Sequence, residues 1–377
     1  MKATAIIGAG WGDEGKGLVV DWLAAQDPEK TLVVRHSGGA QSGHTVQTPD
    51  GRRHAFGHHG AGSFVGAATF LSRFFMVNPL LWSKEREQLL ALGIEPKLMI
   101  DPRCLMTTPW DMLINQAVEA HRGDKRHGSC GIGVNETVER CANPHFSTHA
   151  GCGMAVPLKR IRDEWFPMRL RALGVPLTDE LFERANSPWL MRTFVHYMLQ
   201  MQHHVVQDFD PYHGWNAVVF EGSQGLLLDE KHRFFPHVTR TRTGIVNACT
   251  ICAEWKIDKL QPIYVTRAYM TRHGAGPFPT EDRSLSYPDL TNAPNPWQGT
   301  LRFGKLDFDL LRDAINNDHV GGSGVEFGSP TLAVTCLDQV KDFEFELVLH
   351  NIEYNLPWPV QLESYGPTRK DLDRVYS

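Results

Sequence analysis

The stretch Gly8-Ala9-Gly10-Trp11-Gly12-Asp13-Glu14-Gly15-Lys16-Gly17-Leu18 decides how the rest of the chain is read. An apolar run from Thr4 to Ile7 precedes it, and Leu18, Val19, Val20, Trp22 and Leu23 follow with helical periodicity. That order predicts strand, glycine loop, helix. Bare backbone at a helix entrance leaves N–H groups free to point at an anion, with the positive end of the helix dipole behind them. Lys16 adds a charge that can reach phosphate oxygens. The spacing Gly10-x4-Gly15-Lys16 matches a phosphate-binding P-loop, but Gly17 stands where that motif has a Mg²⁺-binding hydroxyl. Asp13 and Glu14 put negative charge inside the loop. A carboxylate beside a triphosphate makes chemical sense if it binds the metal or takes a proton. The plain alternative is a tight strand-to-helix turn with no ligand.

Composition narrows the function classes. The chain has 377 residues, 42% hydrophobic, enough for a sizeable core. Net charge is −5 and the pI about 6.4, so no broad basic field attracts nucleic acid or anionic membrane. Substrate phosphates must then be held by local lysines, arginines and helix ends. Met1-Lys2 leads directly into a strand, without a signal peptide, and no apolar stretch is long enough to span a bilayer. The 7 cysteines are scattered, as in a reducing compartment. Cys249-Thr-Ile-Cys252 lacks a second pair at zinc spacing and reads as buried, reduced thiols. A cytoplasmic location is expected.

Further along, 30–36 reads as a second strand, followed by Ser37-Gly38-Gly39-Ala40-Gln41-Ser42-Gly43-His44-Thr45, a small, polar loop that lets backbone approach a ligand. His44 can exchange a proton near neutral pH. His54, His58 and His59 lie in a His- and Gly-rich segment that reads as a solvated loop. A short helix is predicted over 84–92 and an amphipathic one from Trp110 to His121. A second Gly-rich loop runs from His127 to Thr137. Residues 151–205 are helical, with Leu190, Phe194, Tyr197 and Met201 as a core stripe. Asn216–Phe220 is a strand ending in Glu221-Gly222-Ser223-Gln224-Gly225, a polar loop where open α/β sheets bind ligands. Strands also fall at 261–266 and 331–335. No internal repeat, low-complexity tract or linker interrupts 1–377, which reads as a single domain. The fold class is α/β: a mostly parallel central sheet with helices on both faces and a P-loop-like N-terminal strand-loop-helix.

Gly10-Trp11-Gly12-Asp13-Glu14-Gly15-Lys16-Gly17 resembles the N-terminal signature of the adenylosuccinate synthetase family. Gly274-Ala275-Gly276-Pro277-Phe278-Pro279-Thr280-Glu281 and Phe220 to Asp229 resemble two more of its motifs. The resemblance implies a dimeric ligase that uses Mg²⁺ and a nucleoside triphosphate to join L-aspartate to C6 of a purine 5′-monophosphate. Asp13 is then the base, His44 the acid and Lys16 the phosphoryl stabiliser. Gly12, Glu14, Gly15, Gly17 and Thr45 belong to the nucleotide-phosphate loop, and Asp13 and the Gly43 carbonyl bind the metal. Gln41, Ser129, Gln224, Thr239 and His273 surround the purine monophosphate, joined by Arg140 reaching across from a partner subunit. Thr300 and Arg302, in Trp297-Gln298-Gly299-Thr300-Leu301-Arg302, take the aspartate carboxylates. Asp338, Ser364 and Gly366 surround the donor base.

Several residues depart from the family pattern. Gln41 replaces an asparagine, His273 a common valine and Cys336 a lysine that accompanies Asp338 at guanine, and the aspartate loop keeps one arginine. Ordinary members use IMP and GTP. A viral branch uses dGMP with ATP-type donors, toward 2-aminoadenine DNA, and these departures lean that way. Retention of Asp13 leans back, because some viral members carry serine there. A catalytically dead nucleotide sensor, or another P-loop-like GTPase, is the reading of a different class.

Overall fold

A computed structural model describes residues 1–123, 126–289, 292, 300–318, 324–341 and 344–375. The fold starts as the sequence predicts. Strand β1 (Lys2–Gly8) leads through the glycine loop into helix α1 (Lys16–Ala24). The remaining strands are β2 (Thr31–Arg35), β3 (His44–Gln47), β4 (Arg53–Phe56), β5 (Ala68–Leu71), β6 (Leu98–Ile100), β7 (Ala217–Gly225), β8 (Lys259–Arg267), β9 (Met270–Arg272), β10 (Arg302–Gly304), β11 (Glu326–Phe327), β12 (Thr331–Thr335), β13 (Val360–Ser364) and β14 (Leu372–Arg374).

A 10-stranded sheet runs in the order β14-β13-β12-β8-β1-β7-β2-β5-β6, with β11 added beside β8. Its neighbours pair in parallel, apart from the antiparallel β13–β14 edge. Parallel strands are covered on both faces, so their sequences read as continuous apolar runs. Successive residues face opposite sides. Ile7, Val34, Phe220 and Val334 join one core, whereas Ile6, Val33, Val219 and Ala333 join another with Leu18, Val19 and Val20 of α1. A third core is mostly helical. There Trp82 of α2 (Pro79–Ala91) and Trp110 of α3 (Pro109–Arg122) pack with Phe194, Met198 and Met201. The core stripe of the helix Pro188–Gln202 thus runs through Phe194, Met198 and Met201, while Leu190 and Tyr197 lie at its margin.

Three expectations are corrected. The helix expected over 84–92 begins at Pro79, because Asn78 caps it by accepting from the amides of Leu80 and Leu81. The polar segment after Phe220 is no loop: β7 continues to Gly225. His54, His58 and His59 are buried, not solvated. They gather around Glu85 of α2, whose carboxylate accepts from the amides of Gly57, His58 and His59. Cys249 and Cys252 are buried and joined in no disulfide, as expected. Among the described residues, no helix is long and apolar enough to cross a membrane.

Candidate active site

The glycine loop is shaped by backbone that L side chains rarely adopt. Gly12 and Gly15 have φ of 96° and 90°, and Asp13 sits in the same left-handed region at 63°. A non-glycine residue there costs on the order of 1 kcal/mol and marks a constrained site. Arg267, at the end of β8, holds the turn by donating from Nε to the Asp13 carbonyl at 2.5 Å. The Asp13 carboxylate is left partly open to the cleft, 3.4 Å from His273 Nε2.

Glu14 turns the other way. Its carboxylate accepts from the amides of Gly10 and Gly12 at 3.1 and 2.7 Å and from Lys16 Nζ at 2.6 Å. The recess that holds it tolerates no side chain at Gly225, where a Cβ would lie 2.4 Å from the Glu14 carboxylate. Lys16 is therefore paired within the loop. No side chain caps α1, so its first-turn amides remain available to an anion.

His44 opens β3. Its Nδ1 lies 2.5 Å from Glu221 Oε1 on β7. Glu221 also accepts from the amide of Ala61, and Arg35 Nε is 3.9 Å away. Burial would raise the Glu221 pKa, but its contacts with His44 and Arg35 hold it below the usual carboxylate value. A carboxylate only accepts, so Nδ1 of His44 carries the proton and Nε2 is free for other chemistry. Nε2 has no hydrogen-bond partner among the described residues. Burial lowers the His44 pKa and outweighs the opposing charge of Glu221, so the free imidazole is neutral. Arg35 fixes the loop before His44 through the carbonyls of Ser42 and His59, at 3.0 and 3.3 Å.

These elements meet around a cleft of about 530 Å³. It brings together Asp13, Glu14, Gly15, Lys16, Gly17, Gln41, Gly43, His44, Thr45, Gln224, His273, Asp338, Ser364 and Gly366. Gly12 lines a small adjoining hollow. Among the described residues, buried atoms in the cleft residues lack hydrogen-bond partners: both ends of the Gln41 amide, Thr45 Oγ1, His44 Nε2 and His273 Nδ1. Buried polar groups are normally satisfied, so this cluster is one that a polar ligand would complete. The donor set also suits Mg²⁺. The Asp13 carboxylate and Gly43 carbonyl, both lining the cleft, would supply the hard oxygens such a cation takes.

The other expected residues lie outside that cleft. Ser129 Oγ accepts from Asn115 at 2.7 Å, and its loop packs on the segment carrying His273, with Gly128 against Gly274. Thr239 lies in the loop after β7, its amide bonded to the carbonyl of Leu228. Arg140 requires a correction. It is fully buried in the helix Val134–Cys141, doubly bonded to Asp111 at 2.8 Å and to the carbonyls of Phe146 and Met106. A guanidinium so engaged is a core element of its own chain, with its donors spent on Asp111 and backbone carbonyls. Thr300 is exposed. Arg302 on β10 bonds Glu281 at 3.1 and 2.5 Å and the carbonyls of Gly274 and Gly276. Trp297, Gln298 and Gly299 of the same expected loop lie outside the described residues. Ser364 donates its hydroxyl to the carbonyl of Gly366 at 2.7 Å.

Sequence reading missed Glu221, Arg35 and Arg267. Glu221 follows the apolar run Val218–Phe220 within β7, and a carboxylate directly after a buried apolar run was the available signal. Thr335 was also missed. It ends β12 and donates to the Glu14 carbonyl at 2.7 Å, tying the Cys336–Asp338 end of the cleft to the loop.

Comparison with known proteins agrees with this arrangement. The adenylosuccinate synthetase family model matches residues 5–331. The adenylosuccinate synthetase of Trichormus variabilis is 31% identical over 300 residues, covering 74% of this chain and 63% of that protein. The Desulfovibrio desulfuricans protein is 27% identical over 99% of this chain and 88% of its own. In fold, the chain is similar to fully ligated Plasmodium falciparum adenylosuccinate synthetase, with TM-score 0.74, 17% identity and full coverage of both chains. It is also similar to succinoaminodeoxyadenylate synthetase of cyanophage S-2L, bound to dGMP and dATP, with TM-score 0.60, 16% identity and coverage of 100% and 96%. The loop, the sheet order and the family match over most of its length converge: this chain belongs to the adenylosuccinate synthetase family.

Proposed function

We propose that this chain is a ligase joining L-aspartate to C6 of a 6-oxopurine 5′-monophosphate, with a nucleoside triphosphate split to diphosphate and phosphate. One observation carries the reading: Asp13, Lys16 and the unpartnered Nε2 of His44 line one cleft. A 6-oxo group leaves poorly and must first be phosphorylated. Asp13 takes the N1 proton, so that O6 attacks the γ-phosphorus and the bond to the diphosphate breaks. His44 Nε2 is the group placed to hold or pass a proton at the transferred phosphoryl oxygens, with its ring fixed by Glu221. Lys16, once exchanged from Glu14 to phosphate, and the loop amides stabilise the charge that develops. Mg²⁺, held by Asp13 and Gly43, would neutralise charge on the same phosphoryl group. The aspartate amine then forms the C6–N bond as C6–O breaks and phosphate leaves.

Gln41, Gln224, Ser129, Thr239 and His273 are the proposed monophosphate contacts. Thr300 and Arg302 are those for aspartate, which requires Arg302 to exchange Glu281 for a substrate carboxylate. The acceptor we favour is dGMP, with ATP or dATP as donor. Cys336 supports that choice: it lines the cleft beside Asp338, and burial raises its thiol pKa, so an uncharged thiol stands where the resemblance expects a lysine. The names of the sequence relatives support the second reading, IMP with GTP. We place the enzyme in the cytoplasm, as a homodimer. The test is incubation with Mg²⁺, aspartate and each pairing of dGMP or IMP with ATP or GTP, read by product mass. An aspartyl adduct of dGMP with ATP is expected. Phosphate release that ignores aspartate would identify a GTPase-like hydrolase, and tight nucleotide binding without turnover a sensor.

A further inference from the structure

We propose that Arg53, on β4, grips the donor nucleotide by the phosphates that are not transferred. This rests on the ligase reading above and adds a residue to its donor site. The β3–β4 hairpin has two unlike faces. Its rungs pair His44 with Phe56, Thr45 with Ala55, Val46 with His54 and Gln47 with Arg53. Side chains alternate between faces along each strand. Val46, His54 and Phe56 are buried, and Val46 and Phe56 join the core that holds Leu18, Val19 and Val20 of α1. Thr45, Gln47, Arg53 and Ala55 all line the cleft. The hairpin is therefore a wall of the site, and Arg53 is exposed on it.

Two contacts align this wall with the donor. At its root the hairpin abuts the first turn of α1: a Cβ on Gly17 would lie 3.0 Å from the Thr45 carbonyl oxygen and 3.1 Å from His44 Cβ. Asp13, Lys16 and His44, assigned above to the transferred phosphoryl group, lie at that root. At the other end Gln47 bridges to Thr368, just past Ser364 and Gly366, the proposed donor-base contacts. The Gln47–Arg53 rung stands three residues, about 10 Å, along β3 from His44. It thus falls between the transferred group and the base, where the remaining phosphates of the donor lie. Charge points the same way. A nucleoside triphosphate is strongly anionic, and the net charge of the chain is −5. Among the described residues, the lysines and arginines lining the cleft are Lys16, Arg53 and Arg267. Lys16 sits on Glu14 at the transferred end, and Arg267 faces Asp289 and the Asp13 carbonyl. Arg53 is the third, and a guanidinium matches two phosphate oxygens at once. Its neighbour Arg52 serves the hairpin turn instead, 2.9 Å from Asp50.

The experiment is titration calorimetry in Mg²⁺ with ATP, ADP, GTP, GDP and dGMP, each alone and without aspartate. Arg53→Gln should weaken whichever donor nucleotide binds by at least about tenfold, and by the same factor for its triphosphate and diphosphate. Arg53→Lys, which keeps the charge and loses the fork, should fall between. Arg52→Gln, which removes the same charge from the turn, should bind as wild type. The affinity for dGMP should stay unchanged in all three, and thermal unfolding of Arg53→Gln should match wild type because the side chain is exposed. Unchanged donor affinity in Arg53→Gln, a loss confined to the triphosphate, a loss confined to dGMP, or an equal loss in Arg52→Gln overturns the proposal while leaving the ligase reading intact. Wild-type protein that binds none of the di- and triphosphates overturns both.

Discussion

Two buried histidines, His58 and His44, each hold a carboxylate with Nδ1, and they differ in what the other nitrogen does. His58 Nδ1 lies 3.2 Å from Glu85, and its Nε2 accepts from the amide of Asn78 at 3.0 Å. Glu85 in turn takes three backbone amides. Burial alone would raise the Glu85 pKa, but the His58 hydrogen bond and nearby imidazoles hold it down to about 2. Both nitrogens of His58 are used, and the group closes a turn. His44 has the same carboxylate on Nδ1, but its Nε2 is unused and its ring lines the cleft. The same chemical pair is structural where its valences are filled and is a candidate for catalysis where one is left over.

The largest effects should separate the two clusters by activity. Asp13→Ala or His44→Ala should lower turnover by about 10²–10⁴-fold with thermal unfolding little changed. Glu221→Gln should lower turnover in the same way, and the His44→Ala/Glu221→Gln double variant should be little worse than His44→Ala alone, because the pair acts as a unit. Steady-state kinetics on folded protein decides this, and near-normal turnover of Asp13→Ala would remove the proposed mechanism. Glu85→Gln should do the reverse. It should cost about 3 kcal/mol of stability in urea unfolding while turnover per folded molecule stays within a few-fold.

The smallest effect concerns acid. His36 is fully buried, and among the described residues neither ring nitrogen has a hydrogen-bond partner. Burial, assisted by the charge of Arg35, lowers its pKa from 6.5 to about 3. The unfolded chain therefore binds this proton more readily than the folded one. Stability from the neutral ring is complete above pH 6.5 and is lost as pH falls from 6.5 toward 3. The slope from this group is about 1.4 kcal/mol per pH unit at most. His36→Leu should flatten the fall of Tm between pH 7 and 5, and an unchanged profile would show that other groups set acid sensitivity.

Much of the centre was legible in the sequence because it is local. The apolar run, glycines and lysine of 4–23 specify strand, loop and helix without help from distant residues, and Asp13, Lys16 and His44 fall where two such loops converge. What escaped depends on partners far along the chain. Glu221 is 177 residues from His44 and meets it only because β7 lies between β1 and β2. The segment His54–His59 looked solvated because its carboxylate, Glu85, comes from a later helix. Arg140 looked free because its partner, Asp111, lies 29 residues earlier on another helix. Charge in a window of sequence does not reveal which charges cancel after folding.

The register of the three central strands has one more implication. Ile6, Glu221 and Arg35 stand abreast on β1, β7 and β2. A slip of one residue along β7 would turn the carboxylate to the opposite side of the sheet. Competence is thus written into strand alignment itself, and recovery of turnover after dilution from denaturant should keep pace with the zipping of this triplet, with no partly active species along the way.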